Sequence, residues 1–277
     1  VTGAEFASAY NGLGSDVTLI SSREQVLPGS DKDAAQVLEN VFERRGLCVL
    51  SRSRADAVEN TGDGVRVTLS DGRKIRGSHC LLAVGSIPNT ADLGLEGAGV
   101  ALTASGHIRV DTVSRTTAPG IYAAGDCTGV MPLASVAAMQ GRIAIAHILG
   151  DTVHPLRTDE VASNIFTSPE IASVGITQQD VEDDPAMFVG MSMNLATNPR
   201  AKMMAVDDGF VKIFARRGSG TVMGGVVVGP RASELIFPIA LAVTHRLGVD
   251  DLSDTFAVYP SLSGTIAEAA RRLHVQR

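Results

Sequence analysis

The first 85 residues alternate helix-like and strand-like runs, and this rhythm leaves the chain few possible folds. "GAEFASAYNGLG" carries small and apolar residues at helical spacing and closes on glycines suited to a left-handed cap. "DVTLISS" follows as a buried strand, then the amphipathic helix "DKDAAQVLENVFERRG", then "CVLSRSRADAVEN", "GVRVTLSDGRKIRG" and "HCLLAVG" as strands, with an Asp-Gly turn signal in the middle one. Helix, strand, helix and strand in succession predict an α/β protein with a parallel sheet and helical crossovers.

The texture changes twice. "GSIPNTADLGLEGAGV" is irregular and glycine-rich, which places a boundary near residue 86. "HIRVDTVSRTTAPGIYAAGDCTG" reads as two strands leading into the helix "LASVAAMQGRIAIAHILG", and the polar, proline-containing "DTVHPLRTDE" gives a second boundary near residue 153. Beyond it "NIFTSPEIASVGIT", "FVKIFARR" and "VMGGVVVG" are strands, and "SELIFPIALAVTHRLG" is a helix, which together suggest an α+β domain. "RRGSGTVMGG" imitates a phosphate loop but joins two alternating runs, so it reads as a hairpin turn, with Gly224 and Gly225 at bulge or close-packing positions.

Composition narrows the function. A net charge of −6 argues against a nucleic-acid partner, which would want a basic face. No apolar run reaches the roughly 20 residues of a membrane span. Cys48, Cys80 and Cys127 lie far apart and form neither a redox dithiol nor a zinc knuckle, so a reduced, cytoplasmic setting is expected and no metal site is predicted. The chain opens on Val1-Thr2-Gly3 without methionine, as part of a longer protein would.

Two stretches suggest nucleotides. Gly3, at a helix start with a strand at the right distance, fits the third glycine of a dinucleotide fingerprint, although a plain helix N-terminus reads equally well. The end of the next strand holds Ser21, Ser22 and Arg23 where an acid would select NAD. Hydroxyls and a guanidinium suit a 2′-phosphate better, which leans towards NADPH, unless Arg23 is merely a solvated loop charge. In "TTAPGIYAAGDCTG" a buried strand delivers Gly125 and Asp126 to its C-terminal end, where ligands of open α/β sheets bind. There Asp126 could accept from a ribityl hydroxyl, or simply cap a strand end.

"TAPGIYAAGD", with "LLAVGSIPNT" upstream and "FTSPEIASVGIT" downstream, resembles the class I pyridine nucleotide–disulfide oxidoreductases, the family of dihydrolipoamide dehydrogenase and glutathione reductase. The resemblance covers essentially the whole chain. It implies a Rossmann-like NAD(P) domain over 1–86 without its first strand, the C-terminal part of an FAD domain over 87–153, and an α+β dimerisation domain over 154–277. It further implies that Asp126 binds the FAD ribityl chain, that Leu133 and Ala134 lie beside the isoalloxazine, that Gly85 marks a strand end near the nicotinamide nucleotide, and that Glu5 faces the nicotinamide. "NPRAKM" and "GFVKI" resemble core strands of the dimerisation domain.

One corner departs from the family pattern. The disulfide reductases have His-Pro-x-x-x-Glu where this chain has "YPSLSG", with Tyr259 at the His position and Gly264 at the Glu position. A phenol with an ordinary pKa near 10 cannot shuttle thiol protons at neutral pH, and glycine orients nothing. His154-Pro155 with Asp159 mimics the pair but reads as linker. The other histidines are isolated, so no catalytic residue is assigned. The resemblance therefore points to the NAD(P)H:quinone reductase branch: a homodimer using FAD and NAD(P)H, with a quinone as acceptor. A disulfide reductase with displaced acid–base groups and a non-catalytic dimerisation module are the alternatives.

Overall fold

The computed structural model describes residues 1–275. The chain divides into two compact units, one made of Val1–Val84 together with the chain from Ala162 onward, the other of Gly85–Val161. The sequence-based boundaries, 86 and 153, fall two residues after the first division and eight before the second.

The first segment begins with α1 (Thr2–Gly12), β1 (Thr18–Ile20), α2 (Lys32–Arg44) and β2 (Cys48–Leu50). β1 and β2 pair in parallel, Leu19 opposite Val49, with α2 as the crossover. Asp31 starts α2 by accepting from the Ala34 N–H at 3.0 Å, and Ala34, Ala35, Leu38, Val41 and Phe42 bury one face. β3 (Ala55–Asn60), β4 (Val65–Leu69) and β5 (Lys74–Gly77) form an antiparallel sheet whose last turn holds Asp71-Gly72, as expected.

Two expectations fail here. β1 is a three-residue strand with one exposed and two half-buried residues, not a buried one. "HCLLAVG" is not a strand at all, and Leu81, Leu82 and Val84 are 56%, 70% and 92% exposed. No strand of the described residues runs beside it, so its backbone has no ladder to join.

The Gly85–Val161 unit contains one α-helix, α3 (Ala134–Ile148), and two short 3₁₀ turns, over Asp126–Thr128 and Thr158–Glu160. The two strands expected in "HIRVDTVSRTTAPGIYAA" are reduced to isolated bridges, Val110 with Thr116 and Arg115 with Tyr122. The rest of this stretch joins no ladder of the described residues. A small core of Val100, Ile108 and Ala118 closes the unit.

The remaining chain gives β6 (Ser163–Ile165), β7 (Glu170–Gly175), α4 (Gln178–Asp183), β8 (Phe188–Asn194), α5 (Pro199–Met203), β9 (Phe210–Arg216) and β10 (Val222–Gly229). It ends with α6 (Ala232–Leu235), α7 (Phe237–His245), α8 (Val249–Asp254) and α9 (Gly264–Val275). The strands form one antiparallel sheet in the order β6-β7-β10-β9-β8. "NPRAKM" is not a core strand but α5, because Asn198 caps and Pro199 opens a helical turn. The single helix expected over 233–248 is broken in two, with Phe237 and Pro238 starting the second piece. The loop after β9 is the hairpin turn predicted, and Gly224 sits at a bulge against the backbone of Ile176.

Alternation along β9 explains why the first and last segments share a unit. Val211, Ile213 and Ala215 face α6, α7 and α9, whereas Phe210 and Phe214 pack with Leu38 and Phe42 of α2. The sheet is covered on both sides.

Candidate functional site

The predicted residues fall into three groups. At the start of α1, Gly3 lies between the sheet and the extended run after β5: a methyl added there would sit 3.5 Å from the Ala83 Cβ and 3.9 Å from Leu19 Cδ1. These are ordinary contacts, so the helix approaches closely without excluding alanine. Glu5, two residues on, accepts from the Phe166 N–H at 2.8 Å, and Ser8 Oγ accepts from the Ser168 N–H at 2.9 Å. In this structure the Glu5 carboxylate thus ties α1 to the β6–β7 connection.

Beyond β1 the backbone of Ser21 continues the parallel pairing, its N–H donating to the Leu50 carbonyl and its carbonyl accepting from Ser53. Ser21 Oγ accepts from the Arg23 N–H at 3.2 Å, a short turn that leaves Ser22 and Arg23 exposed. The neighbouring Arg52 is paired with Glu24 at 2.9 Å, whereas Arg23 enters no ion pair among the described residues. A free guanidinium beside two hydroxyls is a donor set that fits an anionic group.

The second group lies in the Gly85–Val161 unit. Gly85, at φ +110, is exposed. Gly125 has φ 89 and ψ −162, a conformation open essentially to glycine alone, and it turns the chain into the 3₁₀ turn that carries the exposed Asp126. Leu133 is the extended residue before α3, and Ala134 is its first residue. A side chain that the sequence reading missed organises this turn. Gln140, only 1% exposed, accepts from the Gly125 N–H at 2.7 Å and donates to Thr128 Oγ1 at 3.3 Å. Its only sequence signal is that it is an amide amid small and apolar residues.

The third group is the C-terminal corner. Tyr259 is 81% exposed and Gly264 is the first residue of α9. Ser261 Oγ accepts from the Gly264 N–H at 3.1 Å and lies 2.9 Å from Ser263 Oγ. Asn198 Nδ2 donates to the Ser261 carbonyl at 2.9 Å and to Thr265 Oγ1 at 2.8 Å, while its Oδ1 caps α5. The corner is held by these bonds, but its two serine hydroxyls pair with each other and it contains no imidazole–carboxylate pair. His154 is exposed in irregular chain within the Gly85–Val161 unit. Two surface clefts of about 500 and 430 Å³, around Glu170 and Arg231, include none of the predicted residues. Both are shallow surface hollows, and the chemistry-bearing groups lie elsewhere.

A parallel β-α-β unit and an antiparallel sheet covered by helices define an α/β protein. The model of the pyridine nucleotide-disulphide oxidoreductases matches residues 1–141, and that of their dimerisation domain matches residues 161–270. The chain belongs to the pyridine nucleotide-disulphide oxidoreductase family. It is 56% identical over 273 residues to an NAD(P)H dehydrogenase (quinone) of Mycobacterium tuberculosis, covering 99% of this chain and 55% of that protein. Against a dihydrolipoyl dehydrogenase of Geobacillus stearothermophilus it is 33% identical, covering 97% of this chain and 57% of that one. A crystal structure of LpdA from Mycobacterium tuberculosis matches 98% of this chain and 59% of its own, at TM-score 0.94 and 56% identity. The HOCl-induced flavoprotein disulfide reductase RclA of Escherichia coli matches as a Cu(II) complex at TM-score 0.92 and 25% identity, over 98% of this chain and 62% of its own. The chain spans a little over half the length of the curated relatives it matches. No helix of the described residues is long and apolar enough to cross a membrane.

Proposed function

We propose that the chain is part of an FAD-dependent oxidoreductase that takes hydride from NAD(P)H and passes the electrons to a quinone. The single observation that carries the choice of acceptor is the corner, where Tyr259 and Gly264 stand in place of a proton-shuttling pair. Electron exchange with a disulfide needs protons delivered to and removed from sulfur, and nothing in Tyr259–Thr265 does that at neutral pH. A quinone can take its protons from solvent. The name of the Mycobacterium tuberculosis relative supports the same acceptor.

FAD would supply two-electron acceptance from nicotinamide and release to the acceptor. The chain's own residues bind and orient. Gly3 opens the helix that faces the nucleotide, Glu5 borders the nicotinamide side, and Ser21, Ser22 and Arg23 receive the adenosine ribose or its 2′-phosphate. Gly85 lies near the same nucleotide. Gly125 brings backbone close to the flavin, Asp126 accepts from a ribityl hydroxyl, and Leu133 and Ala134 flank the ring system. On this reading, residues 1–86, 87–153 and 154–277 are the NAD(P), FAD and dimerisation portions, and a second copy completes the assembly.

The test is steady-state oxidation of NADPH and NADH by the complete gene product, with benzoquinone, lipoamide and glutathione disulfide compared as acceptors. Quinone turnover should exceed disulfide turnover by about a hundredfold or more, the loss that follows removal of a general acid–base group. Matching rates with a disulfide would favour displaced acid–base groups instead.

A further inference from the structure

We propose that Gln140 is the positioning residue of the Gly125–Thr128 turn, holding Asp126 in the attitude in which it receives a ligand hydroxyl. The proposal rests on the reading of Asp126 as a flavin ribityl partner. Four side-chain and backbone groups form a closed ring. The Gly125 N–H can only donate, so the Gln140 atom 2.7 Å away is the amide oxygen. The amide nitrogen then donates to Thr128 Oγ1 at 3.3 Å, and Thr128 sends its own hydrogen to the Gly125 carbonyl at 2.8 Å. Each hydrogen in the ring has one direction, and the Gln140 amide supplies both halves of the link, accepting through Oε1 and donating through Nε2.

The expense of this arrangement marks it as more than filler. Gln140 is 1% exposed and Thr128 is 6% exposed, on or against a helix of small and apolar residues, where an aliphatic side chain would pack without needing partners. The ring closes on a glycine whose φ of 89 and ψ of −162 almost no other residue adopts. A methyl on Gly125 would also meet the Ala137 Cβ at 3.4 Å, one turn before Gln140 on the same helix. α3 therefore grips the turn from beneath while Asp126, the residue after Gly125, stays exposed above it. The helix that carries Leu133 and Ala134 at its start thus also fixes the carboxylate, so both halves of the proposed flavin contact move as one body.

The experiment uses the complete gene product, with FAD as probe, and measures FAD dissociation constant, flavin absorption spectrum, flavin midpoint potential and thermal midpoint. Gln140→Leu should weaken FAD at least about tenfold, the scale of a hydrogen bond to a charged group, and shift the flavin band and potential. Gln140→Glu, which keeps the acceptor for Gly125 but loses the donor to Thr128, should fall between wild type and Gln140→Leu. Thr128→Val opens the ring from the other side and should reproduce the spectral shift, which keeps the test decisive should Gln140→Leu fail to fold. In an Asp126→Ala background, Gln140→Leu should cost little further affinity, since the amide acts through that carboxylate. A lowered thermal midpoint with unchanged affinity, spectrum and potential would overturn the proposal and leave Gln140 a structural residue. Wild-type protein that binds no FAD would overturn the flavin reading itself.

Discussion

Lys212→Ala will destabilise the protein by about 3–5 kcal/mol, the cost of leaving one member of a buried ion pair alone. Lys212 lies on β9 between Phe210 and Phe214, facing α2, and its side chain is 5% exposed. Its ammonium donates to both oxygens of Asp31, at 3.0 and 2.8 Å, and meets Asp33 at 2.7 Å, with the Phe210 ring 5.1 Å from its nitrogen. Asp33 is largely exposed and can turn to water, but the Asp31 side chain is 4% exposed and cannot. Asp31 also caps α2, so its carboxylate joins the helix start to the sheet. The double variant Lys212→Met/Asp31→Asn removes both charges and keeps a capping side chain, and should recover most of the loss. Urea unfolding with an unchanged slope measures both. A single-variant loss below about 1 kcal/mol would mean that water screens the pair as it screens a surface one.

Gly175→Ala should cost about 2–5 kcal/mol, from backbone strain and overlap together. Gly175 ends β7 at φ +74, and a Cβ there would lie 2.1 Å from the Met223 carbonyl oxygen and 2.8 Å from Gly224 Cα. Gly224 is its partner across the ladder, and it too touches backbone, with Ile176 at 2.6 Å from an added Cβ. Two main chains are pressed together where the sheet bulges, and neither can give way as a side-chain tip would. Gly218→Ala provides the comparison, since it shares a positive φ of 79 but meets nothing within 4 Å. It should lose only about 1 kcal/mol, the conformational share alone. Equal losses at the two sites would show that the bulge relaxes.

The sequence made the periodic elements easy to read and hid those that depend on partners. α2 declares itself through Asp31 and its apolar stripe, and the β9–β10 hairpin through alternation around a glycine turn. "HCLLAVG" and "IYAA" look like strands because their residue types suit a sheet, yet a ladder also needs a neighbour, which residue type does not encode. Helix α5 carries its start signal in Asn198-Pro199, which outweighs the resemblance of "NPRAKM" to a sheet strand. β8, with methionines and a glycine in its run, shows too weak an alternation to declare a strand. Among site residues, Gly125 and Asp126 stood out because a strand-end glycine and acid mean the same thing locally in many α/β proteins. Gln140 and Asn198 did not, since each acts on a segment far along the chain. Glu5 shows the converse: a motif position named it, but only the fold reveals its bond to Phe166.

The central claim is that electrons enter through a nicotinamide-reduced flavin and leave without a thiol relay. Anaerobic titration of the complete, FAD-loaded gene product with NADPH or dithionite counts its electron acceptors directly. Full reduction with two electrons per flavin is the predicted result, because flavin would be the only redox centre. Uptake of four, with a thiolate-to-flavin charge-transfer band at the halfway point, would contradict the account.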